Sequence, residues 1–186
     1  MDTTLIVPGL GDSSPNHWQS WFEARLPNCH RVIQSDWETA DLSAWTRAVH
    51  AAVSRADGRI WIVAHSFGCL AAVQAACRAA ADIGGALLVA PADPAKFGLS
   101  AALPKTSLPF RSILVASQND LWMSFDEALR WSRAWGAACV NAGQAGHINP
   151  SSGYGPWPDG LRLLMKLQNT APRPTRRHAL QEWEYR

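Results

Sequence analysis

Three residues of this chain have the types and settings that nucleophilic catalysis needs. Ser66 lies in Ile60-Trp61-Ile62-Val63-Ala64-His65-Ser66-Phe67-Gly68, Asp120 in Ser117-Gln118-Asn119-Asp120, and His147 in Gly146-His147-Ile148-Asn149. A serine hydroxyl is a weak nucleophile until a base removes its proton. An imidazole base in turn needs an acid to fix its tautomer and to stabilise its charged form. Ser66, His147 and Asp120 would fill those roles in that order.

The surroundings of Ser66 read as a nucleophile elbow, a sharp turn from an apolar strand into a helix rich in small residues. Strand, turn and helix crowd there, so the positions two before and two after the serine must be small, and Ala64 and Gly68 are. Ala64 stands where such elbows often carry glycine. The first helical N–H groups point at the serine, so the Phe67 amide is one candidate to stabilise a developing oxyanion. The loop Pro8-Gly9-Leu10-Gly11 is expected beside the elbow, and the Leu10 amide is the candidate for the second donor. The order nucleophile, acid, histidine along the chain is that of α/β-hydrolases.

Asp93 competes with Asp120 for the acid, because it also follows an expected strand at the same end of the sheet. Pro91 and Pro94 around it suggest an ordinary turn instead. His17, His30, His50 and His178 show no metal-ligand spacing such as HExxH, so no metal is expected, and the chemistry requires no cofactor. His65 is expected to pack or hydrogen-bond under the elbow. Trp122 lies close enough to Asp120 to reach the site.

Apolar bursts alternating with helical periods call for a parallel sheet with crossover helices on both faces. The bursts are Thr4 to Pro8, Arg31 to Ser35, Ile60 to Ala64, Ala86 to Ala90, Ser112 to Ala116 and Ala137 to Asn141. Helices are expected after Ser14-Pro15, from Asp41, and over Phe67 to Ala81, Ser124 to Trp135 and Pro158 to Gln168. The elbow after the third strand then sits near the switch point of a six-strand sheet in the order 2-1-3-4-5-6. Only the proline-rich loop Pro91 to Pro109 could serve as a cover, so no large lid is expected.

A chain of 186 residues, 47% of them hydrophobic and 17% charged, suits one packed domain, expected over 1–170 with a flexible tail at 171–186. The net charge of +2 is spread along the sequence, which argues against a nucleic-acid partner. No segment approaches the ~20 apolar residues of a membrane span, and none resembles a signal peptide. Cys69 and Cys77 on one helix would be about 12 Å apart, against roughly 5.5 Å between disulfide-linked Cα atoms. Free thiols and a cytoplasmic setting are the expectation.

Four stretches carry a resemblance to the small α/β-hydrolases that include retinoblastoma-binding protein nine and the bacterial YdeN-like proteins. They are VPGLGDSSPNHWQSWFE near the start, the AHSFG elbow, the aspartate at 120, and GHINPSSGYGPWPDG around His147. The resemblance implies a serine hydrolase acting on carboxylic esters or related small acyl compounds, with the triad on the positions above. Leu121 departs from it, since proline is frequent there in the group. A protein-interaction module on the same scaffold is the rival expectation.

Overall fold

Six short apolar runs form strands: β1 (Thr3–Val7), β2 (Cys29–Arg31), β3 (Ile60–His65), β4 (Ile83–Val89), β5 (Arg111–Ala116) and β6 (Ala138–Asn141). The computed structural model describes residues 1–76 and 83–169. In it the strands pair in parallel throughout, in the order β2-β1-β3-β4-β5-β6. That is the order expected from the sequence.

Parallel neighbours need crossovers. Helices α1 (Trp18–Glu23), α2 (Leu42–Arg55), α3 (Phe67–Ala76) and α4 (Phe125–Trp135) serve four of them, and α5 (Pro158–Gln168) follows β6. The crossover from β4 to β5 is a loop whose helical content is one 3₁₀ turn, Pro94–Phe97. No described helix is long and apolar enough to cross a membrane.

Side chains of a strand alternate between the faces of the sheet, and that alternation sorts the core into two layers. Ile62 and Ala64 of β3 join the residues of α2, α3 and α4, whereas Trp61 and Val63 join those of α1 and α5. On α2 the four-residue repeat of Trp45, Val49 and Val53 is buried. Its Asp41 cap accepts from Ala44 N at 3.0 Å, as expected of an N-terminal aspartate.

Two expectations shift. The second strand is Cys29–Arg31 rather than Arg31 to Ser35. As the edge strand it can pair only with β1, and the last β1 residue that it partners is Ile6, opposite Arg31. Val32 N still donates to Ile6 O at 2.8 Å, after which the chain leaves the sheet and Ile33 is exposed. The first helix starts at Trp18, capped by His17, rather than just after Ser14, whose carbonyl accepts from His17 N in a preceding turn. The expected run of α3 to Ala81, with Cys77, and the expected tail at 171–186 lie outside the described residues.

Candidate active site

Ser66 directly follows β3 with φ +52°, a left-handed conformation rare for a residue with a Cβ, which costs about 1–3 kcal/mol. The surrounding chain enforces it. Ser66 N donates to Val89 O on β4 (3.1 Å), and Cys69 N closes the turn onto Ser66 O (3.0 Å). Gly68 brings α3 so close to β1 that an added Cβ would lie 2.2 Å from Pro8 O. The methyl of Ala64 is buried in the cluster with α2 and α3, and the elbow forms with it in place.

The histidine and the acid arrive on loops at the same edge of the sheet. Asp120 follows β5 and His147 follows β6. His147 Nε2 lies 2.8 Å from Ser66 Oγ, and its Nδ1 lies 3.0 and 2.9 Å from the two Asp120 oxygens. A carboxylate only accepts, so Nδ1 carries the hydrogen and Nε2 faces the serine as an acceptor. The Asp120 side chain is only 3% exposed, and its Oδ1 also accepts from Trp122 N at 2.8 Å. Asp93 does not join this line. Its carboxylate accepts from Ala95 N (2.9 Å) and caps the turn at Pro94.

The loops are tied by groups that the sequence did not single out. Asn119 Oδ1 accepts from Ser117 Oγ (2.8 Å) and from Gly146 N (2.7 Å), joining the acid loop to the histidine loop. Ser152 Oγ accepts from His147 N (3.1 Å) and donates to Asn149 Oδ1. Ile148 is held at φ +47°, and its carbonyl accepts from Trp18 Nε1 at 2.8 Å. His65 Nε2 donates to His147 O at 2.9 Å, so His65 hydrogen-bonds beside the elbow as expected.

His17 and His65 form a row with His147. Ring centroids are 4.9 Å apart from His17 to His65 and again from His65 to His147. Burial, with the nearby Arg31 charge, lowers the His17 pKa from 6.5 to about 4, and burial pushes His65 well below its ordinary value. In the unfolded chain both rings take up a proton near pH 6.5 while the folded rings stay neutral, so acid favours unfolding. For His17 this removes up to about 1 kcal/mol of stability per pH unit as pH falls from 6.5 toward 4, and His65 acts in the same direction. His17→Asn keeps a capping oxygen and removes one of the two titrations. Urea midpoints measured from pH 7 to 5 should fall less steeply for it than for the wild type; parallel slopes would contradict this.

A cavity of about 340 Å³ opens over Ser66, lined among others by Leu10, His17, Phe97, Trp122 and His147. Trp122, near Asp120 in sequence, stands with its ring 6.1 Å from that of His147. Of the two expected amide donors, Leu10 lines this cavity and Phe67 directly follows Ser66. Gly9 abuts the serine so closely that a Cβ on it would lie 2.8 Å from Ser66 Cβ, which sets Leu10 in the cavity wall, and Phe67 opens α3. Among the described residues neither amide donates a hydrogen bond to the protein. Arg31 secures the loop after β1 through Asp12 (2.9 Å), Ser13 O (2.8 Å) and Glu23 (2.7 Å). The described residues hold no cluster fit for a metal ion.

The sheet order, the elbow and the loops gathered at one edge define an α/β-hydrolase. Residues 4–166 match the serine hydrolase family, and the chain belongs to it. A YdeN-like hydrolase from Pectobacterium atrosepticum is 39% identical, with 90% of each chain covered and a TM-score of 0.86. The ydeN gene product of Bacillus subtilis shares the fold at 20% identity, with 91% of this chain and 100% of that one covered and a TM-score of 0.78. Est1E of Butyrivibrio proteoclasticus, solved with ferulic acid bound, shares it at 13% identity, over 90% of this chain and 86% of that one, with a TM-score of 0.66. No curated protein matches the chain.

Proposed function

We propose that this chain cleaves carboxylic esters or related small acyl compounds through an acyl-enzyme, with Ser66 as nucleophile, His147 as base and Asp120 as the orienting acid. The observation that carries the reading is the continuous line from Ser66 Oγ through His147 to Asp120, at 2.8 and 2.9 Å. Ser66 Oγ attacks the substrate carbonyl while its proton passes to His147 Nε2, and the Asp120 charge stabilises the imidazolium. The Phe67 and Leu10 amides receive the oxyanion. As the tetrahedral intermediate collapses, the bond to the leaving oxygen breaks and that oxygen takes the proton from Nε2. Water, deprotonated by the same nitrogen, then attacks the acyl-serine, and the acid leaves with Ser66 reprotonated.

A cavity of about 340 Å³, with no large lid among the described residues, suits short acyl groups. Across a series of p-nitrophenyl esters, kcat/KM should peak at about four acyl carbons or fewer and fall at least roughly tenfold by dodecanoate. An optimum at long chains with interfacial activation would overturn this part of the reading. The free thiols Cys29, Cys69 and Cys139 fit the proposed reducing, cytoplasmic setting, with burial raising the first to a pKa of about 12.

A further inference from the structure

His17 takes no part in the steps above, yet it lines the cavity that holds Ser66. Its ring is 4% exposed, and its Nδ1 accepts from Gln19 N at 3.1 Å. A backbone amide can only donate, so the neutral ring carries its hydrogen on Nε2. The clamp behind it is firm. Gln19 is fully buried, its Nε2 donating to Val7 O (3.2 Å) and Val63 O (3.0 Å), and its Oε1 accepting from Ser13 Oγ (2.6 Å). Trp18 and His65 flank the ring at centroid distances of 5.4 and 4.9 Å.

His65 Nε2 is spent on His147 O, which leaves its Nδ1 as an acceptor, yet among the described residues no hydrogen bond joins that nitrogen to His17. Among the described residues, then, His17 Nε2–H has no partner, although it is fixed in direction and sits in the wall of the reaction cavity. A held donor facing the cavity gains from an acceptor on a bound molecule that displaces water. The charges beside it select which kind. Asp12, also in the cavity wall, and Glu23 share the single guanidinium of Arg31, so two carboxylates face one cation. Arg31 is thus already paired and is not held free for an anion, which leaves a neutral oxygen as the fitting acceptor.

Building on Ser66 as nucleophile, we propose that His17 is a specificity residue whose Nε2–H donates to a neutral substrate oxygen other than the scissile carbonyl. The site then favours oxygenated esters, such as monoesters of polyols or esters of alkoxy acids, over plain alkyl esters. The depressed basicity of the ring keeps it a neutral donor across the physiological pH range.

The test uses two pairs of near-isosteric esters: 2-methoxyethyl acetate against butyl acetate, and methyl 3-methoxypropanoate against methyl pentanoate. Wild type is compared with His17→Asn, which keeps a capping oxygen but falls short of the cavity, and with His17→Phe, which keeps the ring volume without either nitrogen. For at least one pair, the ratio of kcat/KM for the oxygenated ester to that for the alkyl ester should drop three- to tenfold in the variants, roughly the worth of one neutral hydrogen bond. Intrinsic reactivity of the esters cancels in this comparison. A merely structural role would lower both members of a pair alike, and an unchanged ratio in both pairs overturns the assignment while leaving the esterase reading intact. Failure of the wild type to hydrolyse any of the four esters overturns the esterase reading, and this assignment with it.

Discussion

Ser66→Ala is expected to lower turnover of a soluble short-chain ester by roughly 10⁵- to 10⁶-fold, as loss of the nucleophile does where serine and histidine act as a unit. The fold should survive. Among the described residues the only side-chain hydrogen bond of Ser66 is the one to His147 Nε2. The backbone bonds that shape the elbow, Ser66 N to Val89 O and Cys69 N to Ser66 O, do not involve the hydroxyl. His147 would stay anchored by Asp120, by Ser152 Oγ and by His65. The melting temperature should therefore change little, and the loss of rate would be chemical. Residual turnover above about one hundredth of wild type would place the nucleophile elsewhere.

Asp120→Asn should cost about 10⁴ in turnover, while Asp93→Asn should change it by less than roughly tenfold. The Asp120 oxygens accept from His147 Nδ1, which keeps Nε2 free to take the serine proton. An asparagine can present its NH₂ to Nδ1 instead, moving the ring hydrogen to Nε2 and leaving no acceptor for Ser66. Trp122 N can still bond the remaining amide oxygen, so the loop should hold its shape. The Asp93 carboxylate accepts from Ala95 N at the start of a 3₁₀ turn, a duty asparagine performs about as well. Turnover of one soluble ester, with circular dichroism on each variant, decides the matter. The reverse ranking would move the acid to the loop after β4.

The parts of this molecule legible in the sequence are those fixed by local demands. Elbow crowding marks Ser66 through the small residues at 64 and 68, and the buried strands show as short apolar bursts. Asp120 and His147 are legible because they directly follow such bursts, and a parallel sheet brings all such loops to one edge. β4 was expected only from Ala86, since Gly84 and Gly85 weaken the strand signal at its start. β2 is shorter than its apolar run suggests because an edge strand has a single neighbour, and past Ile6 that neighbour pairs only with β3, which the residues of β2 do not record. The role of His17 and the particular partner of His65 are hidden for a different reason. Contacts such as His65 to the His147 carbonyl and Trp18 to the Ile148 carbonyl span 82 and 130 residues of sequence, so only the assembled sheet reveals them.

The most direct measurement is intact-mass analysis and peptide mapping after treatment with a fluorophosphonate, which phosphonylates an activated serine with loss of fluoride. The account predicts one adduct per chain, confined to the peptide carrying Ser66, with little or none in Ser66→Ala and slowed formation in Asp120→Asn. An adduct on another serine, or equal labelling of Ser66→Ala, would contradict it.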